Sequence, residues 1–343
     1  MSLSDLIAAE IATSGPMPLD RYMDLCLGHG EYGYYATRDP LGASGDFITA
    51  PEISQIYGEM IAIWLITAWQ AAGAPGMFAL VELGPGRGTL MADILRVARG
   101  VPGFLDAARP VLVETSPTLR RAQAERLSGA DSEWVAAIDA LPDGPLFLIA
   151  NEFFDALPVR QFQRVDTIWM ERKVTHRDGA FAWALAPTTL PAPPPATAAD
   201  GAIWEYGAEG VEIATKIGQR LAVAGGAALI ADYGDRDGIG DTFQALRAHK
   251  PTDPLADPGT ADLTTHVRFG DLITAAGGQS QFTAQGPFLE RMGITERANA
   301  LLSRGDQDVI AAHRRLTHPD EMGSLFKMLA LLPDTAAPSP GFE

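Results

Sequence analysis

The sequence predicts an α/β fold in which a mostly parallel sheet carries helices on both faces, and three observations predict it. From Leu80 onward, short apolar runs alternate with helical segments, the pattern of a sheet whose strands are buried on both sides. A glycine-rich turn, Gly84-Pro-Gly-Arg-Gly88, joins the first strand to the helix after it. With 343 residues and 47% hydrophobic composition, the chain can bury a core of that size.

Strands are predicted over 79–83, 111–114, 134–136, 146–150 and 227–232, the third being weak. Helices are predicted over 89–99, over 117–127 with Pro117 at its first position, and over 209–224. The stretch before the fifth strand, about eighty residues, is too long for a single crossover. Within it, 159–162, 168–174 and 180–185 read as antiparallel strands, with Arg177-Asp-Gly179 turning the last pair. Leu190-Pro-Ala-Pro-Pro-Pro-Ala196 reads as a stiff connector. The organisation that follows is a helical lead-in or lid over 1–77 and a core over 78–158 and 205–285. An inserted β region over 159–204, suited to substrate binding, and C-terminal helices with a tail over 286–343 complete it.

Charge and cysteine content exclude several classes. The chain has 26 basic and 43 acidic side chains, a formal net charge of -17, which repels phosphate backbones and argues against nucleic acid as a partner. The single cysteine, Cys26, rules out an internal disulfide framework and suits a reducing compartment. Neither a secretion signal nor an arginine-rich presequence is visible at the start, so a cytoplasmic location is expected. The most apolar stretch, 60–69, is about half a bilayer span, and its large residues recur at helical spacing. A buried amphipathic helix is expected there, with no membrane insertion. The six histidines form no metal-ligand spacing, and no nucleophile elbow is present. Nothing in the pattern excludes a homo-oligomer.

The glycine turn carries the cofactor chemistry. Gly84, Gly86 and Gly88 let backbone amides approach a ligand with no Cβ in the way, and Pro85 stiffens the first bend. A dinucleotide fingerprint needs a third glycine where Thr89 stands, and a triphosphate loop needs a lysine that is absent. Glu82-x-Gly-x-Gly-x-Gly88 is instead the turn that class I methyltransferases, a Rossmann-like fold, pass beneath S-adenosyl-L-methionine. Glu114, ending the second strand at the same sheet edge, is placed to accept the ribose hydroxyls, a geometry that dinucleotide enzymes share. Asp139 is either the acceptor for the adenine amino group or an ordinary loop acid. Glu82 either faces the cofactor's ammonium end or caps a helix. Several converging acids favour a sulfonium over a phosphate.

Ligands of an open sheet lie beyond the carboxyl ends of its strands, which directs attention to Asn151-Glu-Phe-Phe-Asp-Ala-Leu-Pro158. An Asn carbonyl there can position an acceptor nitrogen. If the acceptor is arginine, Glu152 and Asp155 supply the carboxylates that orient its cationic guanidinium. Packing by Phe153 and Phe154, with Glu152 or Asp155 capping a turn, is the simpler alternative. In Gly42-Ala-Ser-Gly-Asp-Phe-Ile-Thr-Ala-Pro-Glu-Ile-Ser54, Pro51 and Glu52 read as helix-start chemistry. Asp46, with Phe47 and Thr49, reads as part of a lid over the cofactor.

Taken together, 45–54, 81–89, 151–158 and Asp257-Pro-Gly-Thr-Ala-Asp-Leu-Thr264 resemble the MidA-like methyltransferase family, in order and over most of the chain. The resemblance implies S-adenosyl-L-methionine as methyl donor, bound by the glycine turn and Glu114. Asp46 and 151–155 would lie at the reaction centre. The family's mitochondrial members resemble protein arginine methyltransferases that modify a core subunit of respiratory complex I during assembly. This chain departs from them in lacking a visible presequence. It also has Tyr57 where the family has phenylalanine, a change expected to affect packing only. A non-catalytic, cofactor-binding assembly chaperone and an NAD-dependent oxidoreductase are the competing readings. Calorimetry with both ligands separates the second.

Overall fold

The apolar runs Phe78–Leu83 (β1), Ala108–Val113 (β2), Glu133–Val135 (β3), Leu146–Asn151 (β4) and Gly226–Asp235 (β5) pair as parallel strands in the computed structural model, which describes residues 2–37 and 49–342. Gln279–Ala284 (β6) and Phe326–Leu332 (β7) extend the sheet antiparallel to their neighbours, giving the order β6-β7-β5-β4-β1-β2-β3. The chain builds outward from β1 through β2 and β3, then returns to the other side of β1 with β4. The order therefore reverses between β1 and β4, and the carboxyl ends of those two strands flank the crevice that such a reversal opens.

β7 departs from the expected C-terminal helices and tail. The run Phe-Lys-Met-Leu-Ala-Leu-Leu is buried at every position but Lys327. A continuous apolar run of that length has no periodicity to separate a buried strand from a buried helix.

The short helix Ala50–Ile53 (α1) leads into Gln55–Ala71 (α2). Apolar positions almost all round α2 are buried, among them Ile56, Met60, Ile61, Trp64 and Leu65, which makes it a core helix. It shares one hydrophobic core with the helix Thr89–Ala98 (α3) and with β1, β4, β5 and β7. Among the described residues, no helix is long and apolar enough to cross a membrane.

The chain divides into two compact units, which redraws the expected domain boundaries. One comprises Ile48–Phe154, Glu212–Gly234 and Phe269–Glu343, and so includes α2 from the lead-in. The other comprises Met1–Phe47, Asp155–Val211 and Asp235–Arg268. In this second unit the expected antiparallel strands form at Arg160–Val165, Ile168–Arg177 and Ala180–Ala186. Asp178 and Gly179, both at positive φ, turn the last pair. Ile203–Tyr206 and the N-terminal Met17–Pro18 join the same sheet. The insertion is thus not self-contained: Val174 packs in one core with Ile7, Leu19, Tyr22 and Cys26 of the N-terminal helices.

Candidate active site

Three consecutive glycine positions bend the chain between β1 and α3: Gly84, Gly86 and Gly88 have φ of 58°, 53° and 76°. This left-handed region disfavours side chains. At Gly84 an added Cβ would lie 2.8 Å from the Phe153 ring, so space forbids substitution as well. The turn is tied down by Gly84 N–H donating to the Val113 carbonyl (3.1 Å) and Gly88 N–H to the Pro85 carbonyl (2.7 Å). Gly88, which carries no side-chain cap, precedes the first turn of α3. Of the amides in that first turn, Met91 is directed at the Glu82 carboxyl.

Two buried glutamates end the neighbouring strands, in different states. Glu114 follows β2, and its Oε1 accepts from the Ser116 amide at 2.7 Å while Oε2 accepts from Gln123 Nε2 at 3.2 Å. Burial raises its pKa, with the Ser116 hydrogen bond acting in the opposite sense. Gln123 lies in the helix Pro117–Arg126 and is fully buried. It also donates to the Gly86 carbonyl at 2.7 Å, and its Oε1 accepts from Trp134 Nε1 at 2.8 Å. One amide thus couples the glycine turn to Glu114 and β3. Sequence reasoning missed Gln123 because a polar residue on a helix ordinarily faces solvent.

Glu82, within β1, has no such set of donors. Its Oε2 is enclosed without a hydrogen-bond partner among the described residues. Burial pushes its pKa up to about 8, against which the Met91 amide in α3 works. The helix-capping alternative therefore accounts for part of this carboxyl and leaves one oxygen unexplained.

Beyond β4, the loop 151–154 is held in place by Asp232. The Asp232 carboxylate is fully buried at the end of β5, and its Oδ2 accepts from the Phe153 and Phe154 amides at 3.2 and 2.9 Å. Glu152 takes a positive φ of 50° while its N–H donates to the Ala231 carbonyl at 2.9 Å. A non-glycine residue in that conformation costs about 1–3 kcal/mol and persists only where its surroundings impose it. Glu152 Oε1 accepts from the Ala50 amide (3.0 Å) and from Asn151 Nδ2 (3.2 Å). Asn151 Oδ1 accepts from the Tyr57 hydroxyl at 2.5 Å. Tyr57, fully buried on α2, has its pKa raised well above the ordinary value by burial and then by the nearby Glu152, Asp232 and Glu82 carboxylates. The expectation that Tyr57 affects packing only is therefore corrected: its hydroxyl takes part in the site.

The structure brings Glu82, Gly84, Pro85, Gly86, Gly88, Thr89, Glu114, Asn151 and Glu152 into the same unit at the carboxyl ends of β1, β2 and β4. Thr49 precedes α1, and Thr89 donates its hydroxyl to Glu52 of that helix. Glu52 is thus more than a helix-start residue. Asp139 stands on a short 3₁₀ turn after β3, two-thirds exposed, with Lys216 Nζ at 2.7 Å. Asp155 belongs to the other unit. It is buried there, near the Tyr35 hydroxyl, which donates to Asp262 at 3.0 Å. Asp46 and Phe47 lie outside the described residues.

Comparison with known proteins decides what this arrangement belongs to. A family model described as "Putative S-adenosyl-L-methionine-dependent methyltransferase" matches residues 60–288. The chain belongs to that methyltransferase family. It is 37% identical to human "Protein arginine methyltransferase NDUFAF7, mitochondrial", with 94% of this chain and 82% of that protein covered. It is 36% identical to the Drosophila melanogaster homologue, covering 98% and 86%. Its fold matches a Burkholderia thailandensis protein, crystallised with S-adenosyl-homocysteine, with a TM-score of 0.84 at 28% identity, covering 99% of this chain and 93% of that one.

The enzyme is therefore an S-adenosyl-L-methionine-dependent class I methyltransferase, and its own residues suit that cofactor. Glu82 has a buried carboxyl oxygen with no partner among the described residues, Glu114 is a carboxylate oriented by two donors, and the turn has three positions free of Cβ. One expectation falls. The relatives are named as mitochondrial proteins, which overturns the cytoplasmic location read from the opening residues. The chemistry of those residues does not determine a compartment.

Proposed function

We propose that the enzyme methylates an arginine side chain of a protein substrate, and that Glu152 receives the guanidinium. The observation that carries this reading is the state of Glu152, held at positive φ at a strand end with one carboxylate oxygen fixed by two donors. A carboxylate so fixed can take the guanidinium in a defined orientation and draw its positive charge toward the bonded nitrogens, leaving another nitrogen the better nucleophile. Orientation of that kind provides much of the rate enhancement in group transfer. Asp232 contributes by holding the loop from behind.

When bound, S-adenosyl-L-methionine supplies the electrophilic methyl group. Glu82 would serve its ammonium end, Glu114 would accept from the ribose hydroxyls, and the glycine turn with Pro85 and Thr89 would hold it. Thr49, ahead of α1, would lie on the cofactor side, and Asp139 would be offered to the adenine edge. The names of the curated relatives support arginine as acceptor, and a core subunit of respiratory complex I is the first target to test. Incubating the enzyme and labelled donor with that folded subunit should yield methylarginine, and Glu152→Ala should abolish it. Absence of label in the subunit, with the donor shown to bind, would refute the assignment. Complex assembly that survives Glu152→Ala unchanged would favour the chaperone alternative.

A further inference from the structure

Asn151 has two faces, and the structure shows what occupies each. Its Nδ2 donates to Glu152 Oε1, and its Oδ1 accepts from the Tyr57 hydroxyl. A side-chain amide can be turned over, exchanging the carbonyl for the NH₂ group, unless a neighbour's donor or acceptor character forbids it. The Tyr57 phenol has one proton, directed at Asn151. Burial and three nearby carboxylates keep it protonated at all ordinary pH. Turning the amide over would place the carbonyl oxygen against the Glu152 carboxylate, acceptor against acceptor.

We propose that Tyr57 is a positioning residue for methyl transfer: its hydroxyl, donating to Oδ1, holds the Asn151 amide in place against Glu152 and thereby sets the Glu152 carboxylate that receives the acceptor. This rests on the assignment of Glu152 to the acceptor, and it changes what Asn151 does. A free Asn carbonyl was the feature expected to position the acceptor nitrogen. Here that carbonyl is engaged by Tyr57, and the amide is spent on orienting Glu152. Acceptor choice therefore passes from a neutral carbonyl to a carboxylate, which suits a cationic side chain. Phenylalanine at this position would remove the donor to Oδ1 and leave the amide held from the Glu152 side alone.

The test is Tyr57→Phe, which keeps the buried ring. Two peptide sets serve as probes, each peptide carrying a single arginine or, in the parallel set, a single lysine. Expected results are a fall of about tenfold in kcat on whichever set is methylated, with the Kd for S-adenosyl-homocysteine within about twofold of wild type. In an Asn151→Ala background the same change should cause no further loss, since its effect runs through Asn151. Independently of any acceptor, the Asn151 side-chain amide resonances, identified by their disappearance in Asn151→Ala, should shift in Tyr57→Phe and exchange faster. Unmoved resonances, an unaltered kcat on a methylated set, or an equal loss in the Asn151→Ala background would each overturn the proposal. Methylation of lysine and not arginine, with Tyr57→Phe still impaired, would refute the arginine assignment and leave the role of Tyr57 standing.

Discussion

Two buried glutamates, one in each compact unit, show how differently the same side chain is used. Glu171, in the unit containing the antiparallel sheet, is 1% exposed and has Arg160 Nε at 2.7 Å and Lys173 Nζ at 3.3 Å. Burial alone would raise its pKa, but Arg160 and Lys173 together outweigh burial and hold the carboxyl below its usual value. Glu82, 3% exposed in the sheet of the methyltransferase unit, has no cation beside it among the described residues and is pushed up to about 8. A buried acid with a resident cation is architecture. A buried acid short of a partner among the described residues, at the end of a strand beside a glycine cradle, has the character of a functional-site group, as the proposed function uses it.

The largest effect that bears on this contrast is catalytic. Glu152→Ala should lower kcat by about 100-fold or more while leaving the Kd for S-adenosyl-homocysteine within about threefold, because the residue orients the acceptor and not the cofactor. Single-turnover kinetics with calorimetry check it, and a collapse of cofactor affinity would move Glu152 to the cofactor side. Next, Glu114→Ala should weaken cofactor binding by about 100-fold, the loss of two charge-assisted hydrogen bonds of roughly 1.5–3 kcal/mol each, partly offset by water. If calorimetry finds affinity unchanged, Glu114 is only a partner of Gln123 and Ser116.

The comparison itself is tested by stability. Glu171→Gln should cost about 2–3 kcal/mol by denaturant unfolding, because Arg160 and Lys173 lose their countercharge. Glu82→Gln should cost far less at neutral pH. The folded pKa of Glu82, about 8, lies above its ordinary value of 4.5, so between those values the folded state keeps a proton that the unfolded state has released. Stability should therefore fall as pH rises from about 4.5 to 8 and level off above it, with a slope of up to about 1.4 kcal/mol per pH unit that Glu82→Gln removes. Cofactor binding should run the opposite way. A cation favours ionised Glu82, so affinity should rise toward pH 8, by at most about tenfold per unit, in wild type but not in Glu82→Gln. A pH profile identical in the two proteins would break the contrast. The smallest effect is expected from Asp139→Ala. An exposed carboxylate already paired with Lys216 should contribute less than about 1 kcal/mol, and a larger loss of affinity would establish an adenine contact.

Much of the parallel sheet was legible from local pattern. Apolar runs flanked by turns located β1, β2, β4 and β5, and Asp178-Gly179 marked a hairpin turn that requires positive φ. The glycine turn was readable because its purpose, the exclusion of Cβ atoms, is written in residue type. β7 was not, since an unbroken apolar run is the same for a strand and a helix. Gln123 and Asp232 were not, because each acts by hydrogen bonds to segments distant in sequence. In composition they are an ordinary helix residue and an ordinary turn residue.

By itself, then, the sequence determined the fold class, the cradle and the acids that could serve a cation, because these depend on residue type and short-range spacing. Tertiary structure alone decided which buried carboxyl received a partner, which way the Asn151 amide faces and that a Tyr57 hydroxyl reaches it. Hydrogen bonding and desolvation depend on which atoms meet when distant segments pack, and no local pattern encodes that.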